Sequence, residues 1–218
     1  MTSKNHGTGD DSESGFADLR SSLEEYRQRS QNAISVIDVE SVTRWTLEIF
    51  KAWQEDRQLL VFGNGGSAAT ASHLAEDLAT FAIPFEHPRR LKVLSLNDSP
   101  STITALGNDI GFDAVFSEQV QQWARPNDLV LTMSGSGNSA NLVAAMKLAS
   151  SLGCQTAAMT GFAGGALRKM VDHPLHVEIH EMQPAQDAHM IMTHMIIDGF
   201  RSLVRSQLGM NVSGRADS

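Results

Sequence analysis

His73 and Asp77 lie four residues apart in a stretch expected to be helical from about Ser67 to Phe81, so both side chains project from one face and can converge on one ion or one substrate atom. Imidazole titrates near neutrality and a carboxylate can accept and return a proton, which makes the pair a candidate for acid/base work or metal ligation. Spacing alone reads first as an exposed helical ion pair, and a lone histidine carries little weight. Toward the C terminus, Gln186, Asp187, His189 and His194 interrupt a helical stretch otherwise full of methionine, isoleucine and alanine. Polar groups on so apolar a helix need a partner, a path to solvent or a polar subunit contact.

Two loops rich in glycine and serine accompany these groups. The first, Gly63-Asn64-Gly65-Gly66-Ser67, follows an apolar run ending at Phe62, with Ser67 placed as a helix N-cap. The second, Ser134-Gly135-Ser136-Gly137-Asn138-Ser139, offers hydroxyls and unpaired N–H groups at a helix start, which can neutralise a phosphate without lysine or arginine. Either loop alone reads as an ordinary strand-to-helix turn; two in one small sheet point to a phosphate cradle. Neither carries the Walker Lys-Ser/Thr or the dinucleotide glycine spacing, so no nucleotide cofactor is expected.

The elements that must position these residues alternate. Strands are expected at Leu59–Phe62, Lys92–Leu96, Asp128–Met133, Gln155–Thr160 and Leu175–Ile179, and helices at about Pro100–Gly107, Asp113–Ala124, Ser139–Leu152, Gly165–Val171 and Pro184–Gln207. Two further helices precede them, the second carrying Val42, Trp45, Ile49, Phe50 and Trp53 as a stripe that suits either its own sheet or a subunit interface. This order implies an α/β fold, a three-layer αβα sandwich with a five-stranded, mainly parallel sheet, whose ligands bind at the carboxyl ends of the strands. Residues 16–208 form the expected single domain, and the polar stretches 1–15 and 209–218 the expected disordered tails.

Composition narrows the function. A net charge of −8 provides no overall basic field for nucleic acid. No run of about 18 apolar residues indicates a membrane span, the first residues do not resemble a secretory leader, and the single cysteine, Cys154, fits a reducing compartment; a cytoplasmic location is expected.

In order along the chain, Gly63-Asn64-Gly65-Gly66-Ser67-Ala68-Ala69, Gly107-Asn108-Asp109-x-Gly111-Phe112 and Ser134-Gly135-Ser136-Gly137-Asn138-Ser139-Ala140-Asn141 resemble the SIS (sugar isomerase) family and its phosphoheptose isomerase branch, from about Trp45 to Val204. The resemblance implies an aldose-ketose isomerase acting on sedoheptulose 7-phosphate, and a homotetramer with active sites between subunits. Asp77 and His194 would be the acid/base pair, and His73, Asp77, Gln186 and His194 the ligands of a zinc ion. Ser134, Ser136 and Ser139, with Gly135, would hold the phosphate, and Asn64, Gly65, Gly66, Ser67, Asn108, Asp109 and Gln186 would line the sugar subsite.

Four departures touch the substrate pocket. Asp77 stands where the family has glutamate, Gly135 breaks the branch's Ser-Thr-Ser, and Phe81 replaces an arginine, with Gln183-Pro184-Ala185 altered just before Gln186. Glu76 points about 100° away from Asp77 around the helix and reads as a poor substitute for the family's glutamate. The competing implications are a phosphosugar-binding regulator that docks a protein partner, of the replication-initiator-binding type, and an isomerase of another sugar phosphate.

Overall fold

The computed structural model describes residues 10–210. Long apolar runs become strands buried on both faces: β1 (Gln58–Gly63), β3 (Leu129–Ser134) and β4 (Gln155–Thr160), with the shorter β2 (Lys92–Ser95) and β5 (His173–His176) at the edges. The sheet order is β2-β1-β3-β4-β5 and every pairing is parallel. Strand alternation splits the core in two. Leu59, Val61, Leu131, Met133 and Met159 face one side, while Leu60, Phe62, Val130 and Ala158 face the other.

Three helices cover the first face: α2 (Val39–Gln54), α3 (Gly66–Thr80) and the long α8 (Met182–Gln207). On the second face lie α5 (Val115–Trp123), α6 (Ala140–Ser151) and α7 (Gly165–Met170), with α4 (Pro100–Asp109) and a 3-10 turn at Phe112–Ala114 leading into them. The three-layer α/β expectation holds. Asp38 opens α2, its carboxylate accepting the Glu40 N–H at 3.0 Å, and the aromatic stripe packs inward: Trp45, Ile49 and Trp53 are buried within their own chain. Burial of each such side chain contributes about 1.5–3 kcal/mol.

Several local expectations need correction. The leading helix, α1 (Asp10–Ser35), takes in residues 10–15, read from composition as tail. The other tail residues, 1–9 and 211–218, lie outside the described residues. Ser67 is not the N-cap of α3, because Gly65 takes that position at φ 55°, a left-handed backbone that glycine adopts without strain. β5 starts two residues before the expected Leu175, since His173 and Pro174 pair with Ala157 and Ala158 at a sheet edge where no apolar run is required. No helix among the described residues is long and apolar enough to cross a membrane.

Candidate active site

Strand order reverses direction between β1 and β3, which opens a crevice at their carboxyl ends. Both serine-glycine loops leave the sheet there, and they are tied together by a reciprocal amide pair. Asn64 and Asn141 each donate Nδ2–H to the other's Oδ1 at 3.0 Å, and Asn141 Oδ1 also accepts the Leu142 N–H at 2.9 Å. On the β2 side, Asn97 clasps the end of β1 by accepting Gly63 N–H and donating to Gly63 O.

The second loop is built from inside. Ser134 is buried and its Oγ accepts the Gly137 N–H at 3.0 Å, so this hydroxyl organises the loop. Ser136 is exposed and Ser139 half-buried, and no side-chain cap bond engages Ser139 at the start of α6. The loop after β4 buttresses the turn: Gly161 N–H donates to Gly135 O at 2.9 Å, Leu167 N–H to Gly137 O at 3.0 Å, and Ala166 N–H to Asn138 Oδ1 at 3.0 Å. Gly137 has φ 69°, and a Cβ there would stand 2.0 Å from Gly164 O, so only glycine fits. Ser136 Oγ accepts the Asn138 N–H at 3.3 Å within the turn, and Ser136 and Ser139 both lie at the N-terminus of α6, where an anion is favoured.

The chemically active cluster lies on α3 and α8. His73 Nε2 is 3.0 Å from His194 Nε2, with the rings near perpendicular, and 3.7 Å from Asp77 Oδ2. His73 therefore stands between the expected acid/base partners and connects them. The cluster is open to solvent: the His73 side chain is 37% exposed and Asp77 22%. Glu76, set aside in the sequence, belongs here too, because ligand atoms of His73, Glu76 and Asp77 all lie within 4.8 Å of one another. Its signal was present in the i, i+3 spacing from His73, which the angle measured from Asp77 concealed.

Other expected residues fall apart from this cluster. Gln186 packs its amide over Gly66, where an added Cβ would meet Nε2 at 2.9 Å. It lies eight residues from His194 on the same helix, a rise of about 12 Å between their backbones, so the two side chains must lean toward each other to share an ion. Asn108 and Asp109 end α4 in exposed positions, Asn108 donating to Asp109 Oδ1 at 2.8 Å. Ser67 is buried, and Gly135 lies beneath the Met182 sulfur.

Polar groups of α8 meet different fates. Asp187 accepts from Tyr26 at 2.8 Å and Ser30 at 2.6 Å, pinning α1 to α8 beside Gln186 and raising the Tyr26 pKa. His189 is fully buried with neither ring nitrogen hydrogen-bonded, and desolvation pushes its pKa down to about 4.

A zinc ion is compatible with part of the implied donor set. Two imidazole nitrogens bound tetrahedrally at about 2.0–2.1 Å would be about 3.3 Å apart, close to the separation found between His73 and His194. Asp77 adds a carboxylate on the same helix face.

The SIS domain model matches residues 25–161. The chain is 35% identical over 175 residues to a probable phosphoheptose isomerase from Thermoplasma volcanium, covering 80% of this chain and 88% of that protein. It is 41% identical over 152 residues to the phosphoheptose isomerase of Pelobacter propionicus, covering 69% and 79%. Among solved structures, the phosphoheptose isomerase from Neisseria gonorrhoeae aligns with TM-score 0.76 at 31% identity, over 85% of this chain and 98% of that one. The protein belongs to the SIS domain family, and the phosphoheptose isomerases are the relatives it resembles across most of its length.

Proposed function

We propose that the protein is a sugar-phosphate aldose-ketose isomerase that converts sedoheptulose 7-phosphate to D-glycero-D-manno-heptose 7-phosphate through an enediol. The observation that carries this reading is the line Asp77, His73, His194, with separations of 3.7 and 3.0 Å, on helices that flank two anion-ready turns at the switch point of the sheet. The likeness to phosphoheptose isomerases supports the choice of substrate.

Ser136, Ser139 and the first N–H groups of α6 hold the phosphate, with Ser134 shaping the turn behind them. Asn64, Gly65, Gly66, Gln186, Asn108 and Asp109 orient the sugar hydroxyls. One member of the pair Asp77 and His194 removes a proton from C1 of the ketose and returns it to C2, while the other moves the hydroxyl proton from O1 to O2. His73 fixes the position of both. A zinc ion held by His73, Asp77, Gln186 and His194 would polarise the carbonyl and offset the enediolate charge.

The reading includes a cytoplasmic homotetramer with active sites between subunits. Its support is the openness of the cluster, since an enediol needs shelter from water, together with an apolar cleft of about 430 Å³ between α2 and α8 lined by Leu47, Met195 and Leu203. Phe81, 58% exposed one turn beyond Asp77, favours a second reading in which another sugar phosphate is the substrate.

Turnover of a panel of ketose phosphates in deuterated water tests both. Sedoheptulose 7-phosphate should give aldose labelled at C2, and D77A and H194A should each lose at least about 100-fold in rate. Full activity in either variant rejects the acid/base pair, and faster turnover of another ketose phosphate replaces the substrate.

A further inference from the structure

We propose that Met182, the first residue of α8, is a specificity-determining residue: with Phe162 it roofs the second serine-glycine turn with apolar surface and packs against the carbon that carries the substrate's phosphate. The identity of that substrate rests on the isomerase reading, but the roof rests on distances within the chain. Residues four apart share a helix face, and Met182 and Gln186 are such a pair, so the start of α8 reaches over both turns. A Cβ added at Gly135 would stand 2.5 Å from Met182 Sδ and 3.0 Å from its Cε, and one added at Gly66 would stand 2.9 Å from Gln186 Nε2.

The two glycines of the second turn are there for different reasons. Gly137 has a left-handed backbone, φ 69°, and is blocked by the main chain at Gly164, whereas Gly135 has no positive φ and is crowded by side chains. The backbone does not demand glycine at 135; the thioether above it does. Met182 is 41% exposed while Gly135 is buried, so the methionine covers the turn and keeps one flank open to a ligand. Phe162 adds to the cover, its Cε2 3.9 Å from the same Cβ position. Its N–H donates to Ile179 O at 2.8 Å and its ring meets His180 edge-on at 6.0 Å. These contacts hold Phe162 at φ 49°, a left-handed backbone that a residue other than glycine keeps only where its surroundings over-determine it.

A phosphate seated on Ser136, Ser139 and the first N–H groups of α6 has Gly135 directly behind it, with no side chain there to offer a hydroxyl. What stands in that volume is a thioether, polarisable and adaptable, with no hydrogen to donate. Such a group gains from contact with C–H and loses where it faces an oxygen left without a donor. The roof therefore suits a primary phosphate ester, whose phosphate-bearing carbon is a methylene, and C7 of sedoheptulose 7-phosphate is such a carbon.

Inorganic phosphate and ethyl phosphate, titrated into the full-length protein at pH 8 and followed by phosphorus NMR, read the contact as a ratio of affinities without any turnover. The wild type should bind ethyl phosphate at least about threefold more tightly, since burying one methylene changes affinity about fourfold. In M182A the two probes should bind alike, within about 1.5-fold; a general loosening of the turn would weaken both and leave the ratio unchanged. Melting temperatures test the shared volume. G135T should lower the value by about 2–6 °C in the wild-type background and by less than about half as much in M182A, because the new side chain then has room. A preference for ethyl phosphate that survives M182A, or equal costs of G135T in both backgrounds, overturns the proposal. So does a wild type that prefers neither probe or binds neither. Sedoheptulose 7-phosphate turnover on the same samples keeps the two proposals apart. A preference that depends on Met182 with no ketose phosphate converted leaves the roof standing and removes the isomerase reading; conversion with a preference indifferent to M182A does the reverse.

Discussion

Acidification should destabilise this protein through His189 in the middle of α8. Its imidazole is buried with both nitrogens unpartnered, and burial, aided by the nearby His176, lowers its pKa from 6.5 to about 4, against a weaker opposing pull from the backbone at Thr160. The unfolded chain therefore takes up a proton below pH 6.5 that the folded chain refuses until about pH 4. The stabilisation is fully present above the unfolded pKa and lost as pH falls through the window between the two values. At 1.36 kcal/mol per pKa unit, roughly 2 kcal/mol is lost by pH 5 and about 3 kcal/mol by pH 4. His176, also shifted down by burial, acts in the same direction.

The perturbation that isolates this contribution is H189L, which removes the titrating ring and leaves an apolar side chain of comparable bulk at a core position. Urea denaturation of both proteins at fixed protein concentration, from pH 7 to pH 4, yields the difference in their pH dependence free of the carboxylates they share. At pH 7 the variant should be at least as stable as the wild type, because a neutral imidazole without partners gains nothing from its nitrogens. By pH 4 it should lead by an additional amount of about 3 kcal/mol. Curves that run parallel within about 0.5 kcal/mol across the whole range would refute the reasoning.

Gly137→Ala should destabilise the fold by at least about 2 kcal/mol, since the new methyl must escape both a left-handed backbone and the Gly164 carbonyl; chemical denaturation and phosphate affinity read the two consequences. Cys154, buried with its thiol pKa raised to about 11, should react with a disulfide reagent at pH 8 about 100-fold more slowly in the native protein than in urea, and equal rates would show that the thiol is accessible.

The central sheet was legible because β1, β3 and β4 are buried on both faces and are therefore mostly apolar, here Leu59 to Phe62, Leu129 to Met133 with only Thr132 polar, and Ala157 to Met159. Edge strand β5 was misplaced for the complementary reason: its outer residues face no second strand, so His173 and Pro174 are tolerated and no pattern marks its start. Within the site, His73 and Asp77 could be joined by local spacing alone, whereas the union of His73 with His194 depends on how α3 meets α8, which no window of sequence contains. Asn141 shows a different limit: its place in the motif was visible, but its bond to Asn64 exists only because β1 and β3 are neighbours.

That bond has a bearing on how such proteins can be recombined. Asn64 and Asn141 recognise each other as bases do across a duplex, each offering one donor and one acceptor, and they lie 77 positions apart in the chain. A chimaera whose crossover falls between them inherits one half of the match from each parent. Any parent carrying a different residue at either position would leave an amide without its complement at the floor of the cleft. The two turns are thus a single transplantable cassette, although they are far apart in the gene.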